Sequence, residues 1–400
     1  MSGVTKHIYE ADIRDIQGMW SKQLKKIETV LPCKYDEKMI VELLKKYFPH
    51  EWKSVECKKW YYDKKDKSIV KRRGKPRYHM PDAEKLLRVN FEFKKMCSSQ
   101  QQQIHAQNFN ELEAKKNAIS LWNERSKKIA RIDAKIEKAE AKTMVVTPAF
   151  LEQLMGLYSR KNATQKDKIY IIHELKKYYN PTVISFFFKL NDTELNKQLR
   201  EIAFRHLQEF NYQPRLRKQK YIAVHAGNKK RKDYLKYEYP NETYEIPYNP
   251  DELEYRILNG KEQKIMKFDY FISHSSKDGK LVQKLASYEN SVGKLAFCDW
   301  IDDKDYLKRN LMCEATLKVI EWRLKQSDAV IFVKTSNSLN SVWCKYELNY
   351  FKELKKAIYF IDGERLEKDD FHLEKFDIKD AGLLDEDYKE LIMIQGKGAH

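Results

Sequence analysis

This sequence of 400 residues lacks several features that mark common classes of protein. No apolar run approaches the roughly 20 residues needed to span a bilayer, and the longest notable run extends only from Val183 to Phe188. The amino terminus has no apolar segment like that of a signal peptide. Only 12 glycines are present, and they form neither a P-loop nor a GxGxxG motif. These absences predict a soluble, cytoplasmic protein that contacts no membrane and holds no nucleotide cofactor.

Cysteine is also scarce, and its placement argues against a metal centre. No pair of cysteines has the CxxC spacing of zinc sites, and no histidine cluster accompanies them. Scattered single cysteines are typical of proteins that keep their thiols reduced in the cytosol. We therefore predict no metal site and reduced thiols at all six positions, which are Cys33, Cys57, Cys97, Cys298, Cys313 and Cys344.

Positive charge is abundant but unevenly distributed. The chain has 77 Lys and Arg against 59 Asp and Glu, a net charge of +18. Residues 267–400 hold 22 Lys and Arg and 24 Asp and Glu, a net charge of −2. Residues 1–266 therefore carry a net charge of +20. This asymmetry predicts contact with a polyanion such as nucleic acid or an acidic protein surface. A generally lysine-rich composition, or a solvated linker at this position, would explain it equally well. The candidate contacts bracket a glycine-containing loop and are Arg215, Arg217, Lys218, Lys229, Lys230 and Arg231.

The region from Lys267 to Gly363 alternates short apolar runs with segments of helical spacing. Alternation of strand and helix predicts a parallel sheet with helices on both faces. The near-continuous apolar character of the runs agrees, because strands of such sheets are covered on both sides. The predicted strands are residues 268–274, 295–300, 329–333 and 357–362, and the helical segments are residues 281–288, 311–324 and 343–354.

Polar residues follow three of these predicted strands at their carboxyl ends. They are residues 273–276, the pair Asp299 and Trp300, and residues 334–336. Since ligands of such sheets bind at the carboxyl ends of the strands, we expect these residues to share one rim. Trp343 and Glu347 lie four residues apart on the next helix, which places an indole and a carboxylate on the same face beside that rim.

At these residues the sequence resembles a TIR (Toll/interleukin-1 receptor) domain. The stretch from Phe268 to His274 resembles the first strand of that family, and Asp299-Trp300 with the charged loop after it resembles the second. The stretch from Trp343 to Leu348 is similar to the tryptophan-to-glutamate motif of enzymatic TIR domains. The resemblance covers residues 267 to about 362 and implies a flavodoxin-like α/β fold.

What the resemblance implies is cleavage of NAD⁺ at the nicotinamide–ribose bond, with Glu347 as the catalytic residue. Nicotinamide is cationic while attached and departs neutral, so the reaction needs no general acid, unlike ordinary glycoside hydrolysis. NAD⁺ would be a consumed substrate and not a cofactor. The loop from Ile301 to Leu307 lacks the glycine often found in the family. The candidate substrate contacts are Phe271, His274, Ser275, Ser276, Asp299, Trp300, Lys304, Lys308, Arg309 and Trp343.

The chain before the TIR-like part reads as mainly helical. We divide it into a basic region, residues 1–145, with a long helix or helical hairpin, and a module of residues 146–260 whose paired helices resemble HEAT-like repeats; the TIR domain spans 267–400. The favoured hypothesis is an NAD⁺-cleaving effector of prokaryotic anti-phage defence. It would be activated when a trigger, a partner protein or nucleic acid binds the basic region and the TIR domains self-associate. The alternatives are a non-enzymatic TIR–TIR signalling adaptor and a nucleic-acid-binding scaffold.

Overall fold

The computed structural model describes residues 4–212, 228–230, 233, 237, 241–307, 313–378, 388 and 392, with the side chains of residues 4–6 left aside. The chain forms two units, each made of two separate segments. Unit 1 comprises residues 1–142 and 184–242, and unit 2 comprises residues 143–183 and 243–400. The predicted boundary near residue 145 lies close to a division between the units, whereas the predicted boundary at 260–267 falls inside unit 2.

Helices account for nearly all the regular structure before the sheet. None of the described helices combines the length and the apolar character needed to cross a bilayer. In chain order they are α1 (Val4–Glu28), α2 (Glu37–Tyr47), α3 (Pro49–Arg73), α4 (Ala83–Arg88), α5 (Phe91–Met96), α6 (Ser99–Asn108), α7 (Glu111–Glu140), α8 (Phe150–Tyr158), α9 (Gln165–Leu175), α10 (Pro181–Thr193), α11 (Lys197–Glu209), α12 (Pro250–Asn259) and α13 (Lys261–Lys264).

Polar caps decide where several of these helices begin. Residues 82–142 have the composition of one long helical stretch, yet α4 to α7 are separate because Asn90, Ser98 and Asn110 each accept hydrogen bonds from the first backbone amides of the next helix. Asn180 caps α10 as its position before Pro181 predicts. Asn191, with Glu194 three residues on, has the spacing of a capping box, which predicts a helix start there; this prediction is wrong, since α10 continues to Thr193 and Asn196 is the cap of α11.

The core of unit 1 is aromatic and contains buried charge. The rings of Trp20 on α1 and Trp52 on α3 lie 6.0 Å apart within it. Beside them, Asp12 accepts hydrogen bonds from Lys58 Nζ at 3.2 Å and from the Tyr62 hydroxyl at 2.7 Å, and all three side chains are buried. A cation and a hydroxyl thus compensate the buried carboxylate, which is the condition for burying an ionised group.

Unit 2 contains a five-stranded sheet with strand order β2-β1-β3-β4-β5. The predicted parallel sheet is confirmed for β1 to β4, and β5 adds an antiparallel edge. In register, Tyr270 of β1 lies opposite Ala296 of β2 and Ala329 of β3. The strands are β1 (Phe268–Ser273), β2 (Ala296–Phe297), β3 (Ser327–Lys334), β4 (Ala357–Asp362) and β5 (Glu374–Lys375).

The helices of unit 2 cover both faces of the sheet, as the alternating pattern predicts. One apolar cluster joins Ile272 and Ile331 of the strands to Val282. Another joins two helices through Leu317 and Tyr346. The helices are α14 (Gly279–Ser291), α15 (Asp299–Asp302), α16 (Glu314–Gln326), α17 (Ser336–Leu339), α18 (Val342–Glu353) and α19 (Gly363–Glu367).

The helices that precede β1 are an integral part of unit 2. Leu253 and Ile257 of α12 pack against Val319 of α16. On its other side, Arg256 of α12 bonds Asp167 of α9 at 3.1 Å. Residues 143–183, far from the strands in sequence, are therefore tied to the sheet through α12.

Candidate active site

The carboxyl ends of β1, β2 and β3 form a rim, and Glu347 lies beneath it. Glu347 projects from the second turn of α18, a helix capped by Ser341 and anchored by the buried Leu348 and Phe351. The Ser273 hydroxyl at the end of β1 donates a hydrogen bond of 2.6 Å to Glu347 Oε2. Glu347 is 5% exposed and Ser273 is fully buried. The strand end thus fixes the orientation of a carboxyl group that is almost closed to water.

Electrostatics set Glu347 apart from the other buried acids. Burial raises the pKa of Glu347 well above its ordinary value, and the like charge of Asp299 raises it further. The hydrogen bond from Ser273 acts in the opposite direction on this pKa. Among the described residues, no Lys, Arg or His lies within 4 Å of its carboxylate. The site therefore favours the arrival of a positive charge, which would relieve both effects.

His274, Cys298 and Asp299 meet on the same rim. His274 Nδ1 lies 3.0 Å from the Ile272 carbonyl, so this nitrogen carries the proton, and Nε2 faces Cys298 Sγ at 3.8 Å. Asp299 Oδ1 is 4.0 Å from His274 Nδ1. Burial raises the pKa of the Cys298 thiol well above its ordinary value. The predicted meeting of the first two strand ends is thus seen in atomic contacts.

A second carboxylate, Asp278, ties the loop after β1 to the loop after β3. It is buried and accepts hydrogen bonds from Thr335 Oγ1 at 2.6 Å and Asn337 Nδ2 at 2.7 Å. Thr335 also caps α17 through Ser338. Because the acid is saturated by neutral donors, its position suits it to holding the rim in shape.

The turn that carries Asp299 is held by buried polar contacts from below. Asp302 accepts a hydrogen bond of 2.8 Å from the Cys298 amide, and burial raises the pKa of Asp302 to about 7. The next residue, Asp303, is paired with Arg323 of α16 at 2.9 Å, and each side chain is 2% exposed. Arg323 also donates to Gln263. This network fixes one end of α15 and thereby the position of Asp299.

Trp300 is the exposed aromatic of the rim. Its side chain is 46% exposed, and its ring lies against the start of α14, where a side-chain carbon on Gly279 would come within 3.1 Å of it. Glycine at this position leaves room for the outer edge of the six-membered ring of the indole. The exposed part of the indole offers an aromatic surface to a planar ring of a ligand.

The remaining predicted contacts have different surroundings. Phe271 is fully buried and packs on Phe297 at 5.6 Å between ring centroids, a core position without surface for a ligand. Trp343 is half-buried and packs with Leu317 and Tyr346. Ser275 is buried and caps the short turn after β1. Ser276 and Lys304 are exposed.

Several predicted residues lie where the structure can say little. Of the proposed polyanion contacts, Lys229 and Lys230 are exposed. Six others lie outside the described residues, and their roles stay predictions: Lys308, Arg309, Arg215, Arg217, Lys218 and Arg231.

Sequence reasoning missed three residues of the rim and its support, which are Asp278, Cys298 and Arg323. It placed Ser273 on the rim but did not predict its contact with Glu347. Cys298 could have been found, since it lies near the end of a predicted strand, where ligands of this sheet type bind. Asp278 and Arg323 could not, because their partners are 20 or more residues away along the chain.

Comparisons with known proteins identify the family of the domain that contains this rim. Residues 271–389 match the family model of the TIR domain. The chain is 32% identical, over 384 residues, to a Cytobacillus dafuensis protein provisionally named a cyclic ADP-D-ribose synthase, TIR2, and the match covers 96% of this chain and 98% of that protein. ThsB′ of Bacillus cereus (strain MSX-D12), provisionally named a 3′ cyclic ADP-D-ribose synthase, is 30% identical over 118 residues, or 30% of this chain and 60% of that protein. No solved structure matches the chain.

Proposed function

This chain belongs to the TIR-domain family, together with the Cytobacillus dafuensis protein that it matches along almost its whole length, and on that premise we propose that it cleaves the nicotinamide–ribose bond of NAD⁺. Glu347 is the catalytic residue of this proposal. One observation carries it: Glu347 is a buried carboxyl on which the strongest charge acting is another acid, Asp299. Such a site attracts cations, and the nicotinamide ring of NAD⁺ is one.

The proposed chemistry follows from where positive charge lies during the reaction. While joined to ribose, nicotinamide carries a positive charge, and its approach lowers the raised pKa of Glu347 so that the carboxyl ionises. The proton passes to solvent and returns to Glu347 when the products leave. Nicotinamide then leaves as a neutral molecule with the electron pair of the broken bond. The ribosyl cation that remains is stabilised by the Glu347 carboxylate, which Ser273 holds in place. In a nearly dry site this charge acts at low dielectric and is strengthened accordingly.

We propose a cyclic ADP-ribose as the product, a choice supported by the names of both relatives. Physical surroundings favour the same outcome. Ser273 is fully buried, and His274 and Glu347 are 9% and 5% exposed, so little water reaches the ribosyl cation. A ring nitrogen or hydroxyl of the same ADP-ribose then captures it, and the proton of that nucleophile passes to solvent. NAD⁺ thus yields nicotinamide, a cyclic product and one proton.

The other rim residues take supporting roles in this proposal. The exposed part of the Trp300 indole stacks on a ring of the substrate. Asp299 and Ser273 position and tune Glu347. Lys304, which is exposed and follows the rim residue Asp299 in the chain, forms an ion pair with the pyrophosphate. Trp343 acts through helix packing, in keeping with its contacts to Leu317 and Tyr346.

The proposed biological role is anti-phage defence in the bacterial cytoplasm, as the resemblance to prokaryotic TIR effectors implies. Activation by self-association of TIR domains and by a trigger meeting unit 1 belongs to the same proposal. In a cell challenged with phage, a chain with Glu347→Gln should then fail to protect, while the unaltered chain protects. Equal protection by both chains would contradict a role that depends on this reaction.

The direct test is release of nicotinamide from NAD⁺, with the cyclic product followed by chromatography. Three chains are compared at high concentration and with a crowding agent: the unaltered protein, Glu347→Gln, and Glu353→Gln, whose altered residue is an exposed acid on the same helix. We expect Glu347→Gln to lose at least ~100-fold in rate, as removal of one transition-state charge does, and Glu353→Gln to keep full activity. Equal turnover in all three would place the reaction elsewhere. Absence of turnover in all three, also with lysate of infected cells, would favour the adaptor.

A further inference from the structure

We propose that His274, Cys298 and Asp299 form a binding site for a soft divalent cation, of which Zn²⁺ is the best match. One ligand atom from each residue lies within 4.8 Å of the other two. Nitrogen, sulfur and carboxylate oxygen are the three donor types that zinc takes in proteins. The residues stand at the ends of β1 and β2, which fix their backbones against each other.

The histidine already has the tautomer that a metal requires. Its Nδ1 proton is engaged by the Ile272 carbonyl at 3.0 Å, which leaves the Nε2 lone pair directed at Cys298 Sγ. Metal-binding histidines commonly use their other ring nitrogen for such a hydrogen bond, because it fixes the orientation of the ring. The strand that carries His274 therefore supplies both the ligand and its support.

The distances fit a tetrahedral ion after a small movement. With bond lengths of about 2.3 Å to sulfur and 2.1 Å to nitrogen, two donors of a tetrahedral ion lie about 3.5 Å apart. Cys298 Sγ and His274 Nε2 are 3.8 Å apart. Asp299 must turn toward them, and its side chain is free to do so because it is 29% exposed. Three protein ligands would leave the fourth position to water.

Binding would block the proposed reaction, and this consequence alone depends on the proposed function. The cation replaces the thiol proton of Cys298, which is released to solvent, and engages Asp299. It then takes the place that the proposed reaction assigns to the cationic nicotinamide ring, next to Glu347. We expect inhibition that competes with NAD⁺.

Cobalt(II) is the probe of choice, since it takes zinc sites and reports its ligands by absorption. A thiolate ligand gives a charge-transfer band in the near ultraviolet, and tetrahedral geometry gives strong visible bands. We expect one equivalent of Co²⁺ to produce both in the full chain, and one equivalent of Zn²⁺ to remove both. Cys298→Ser should lose the thiolate band, and Cys313→Ser, a change at a partly buried thiol of the same unit, should keep it.

The same variants also provide the results that would overturn the proposal. A thiolate band that persists in Cys298→Ser, or none in the unaltered chain, would overturn the site. Should Cys298→Ser fail to fold, Asp299→Asn serves instead: we expect it to keep the band and lose 10-fold or more in Co²⁺ affinity, and unchanged affinity would overturn the three-ligand site. Because these readouts are spectroscopic, they stand whether or not the chain cleaves NAD⁺. If it does, Zn²⁺ should raise the KM for NAD⁺ and leave kcat unchanged.

Discussion

The two units differ in the groups that surround their buried acids. In unit 1, Asp12 is 2% exposed and is bonded by the Lys58 ammonium and the Tyr62 hydroxyl. Unit 2 contains acids of the same kind, such as Asp303, which is paired with Arg323. It also contains Glu347, which is 5% exposed and has one neutral donor and an acidic neighbour. Burial alone therefore does not mark the site; burial beside another acid, without a compensating cation, does.

The contrast separates two uses of the same chemistry. A buried acid with a cation costs about as much in lost hydration as it gains in attraction, so it contributes specificity to the fold. A buried acid beside another acid raises the energy of the ligand-free protein, and that energy becomes available when a cation binds. Glu347 is the second kind. The predictions below test this distinction from the largest effect to the smallest.

Arg323→Met should have the largest effect, because it removes the cation and leaves Asp303 buried without a partner. We expect a loss of about 3–5 kcal/mol in the free energy of unfolding, measured by urea denaturation. Arg365→Met is the control, since Arg365 pairs with acids at the surface, where little change is expected. A loss no larger than that of the control would mean that Asp303 and Arg323 are not a buried pair.

Lys58→Met makes the matching change in unit 1. Asp12 would keep the hydrogen bond from the Tyr62 hydroxyl, so we expect a smaller loss of about 3 kcal/mol, at the low end for a broken buried pair. Unit 2 and its rim should be unaffected, and the rate of nicotinamide release from intact protein should not change. A fall in that rate at a temperature where the variant is fully folded would contradict the view that Asp12 only stabilises the fold of unit 1.

Glu347→Gln should act in the opposite direction and raise stability at neutral pH. The raised pKa of Glu347 means that the folded chain holds its proton more tightly than the unfolded chain. Stability from this group is therefore present below about pH 4.5 and is lost as the pH rises toward the folded pKa, by up to about 1.4 kcal/mol per pH unit. Thermal melts from pH 4 to pH 8 should show a shallower decline for the variant. Identical slopes for variant and unaltered chain would show that Glu347 is ionised throughout.

The smallest effect is expected on the exposed side of unit 1. Lys229 and Lys230 are exposed residues of the predicted polyanion patch. If nucleic acid binds there, changing both to glutamine should weaken binding a few-fold and lower the slope of log affinity against log salt by about 1 for each lysine. Fluorescence anisotropy with labelled duplex DNA and RNA at several salt concentrations measures this. An unchanged slope would remove these lysines from the patch.

Much of the sheet could be predicted from the sequence, because each strand is an apolar run bounded by polar residues. Two features could not. The edge strand Glu374–Lys375 consists of two exposed charged residues and carries no alternation, so only its pairing with Tyr359 and Phe360 defines it. The association of residues 143–183 with the sheet depends on contacts such as Arg256 with Asp167, which no local pattern encodes.

In the site, too, some predictions from the sequence agree with the structure and others do not. Glu347, His274 and Asp299 came from their places at strand ends and on α18, and the structure brings all three to one rim. Phe271 was predicted as a substrate contact, but the alternation of a strand points it into the core beside Phe297. On α7, Trp122, Ile129 and Ile136 recur every seven residues, yet Trp122 is 42% exposed, so this spacing does not by itself define a buried seam.

The two-segment construction of unit 2 has a consequence for how the protein is made. Helices α8 and α9 leave the ribosome with their buried residues, among them Leu154 and Ile172, before the chain after residue 243 that completes their unit has been translated. In that interval unit 2 has no sheet to cover them, and a nascent chain that stops early has no rim at all. Synthesis itself therefore delays assembly of the rim until most of the chain exists, which would spare a translating cell from a partly built NAD⁺-consuming enzyme.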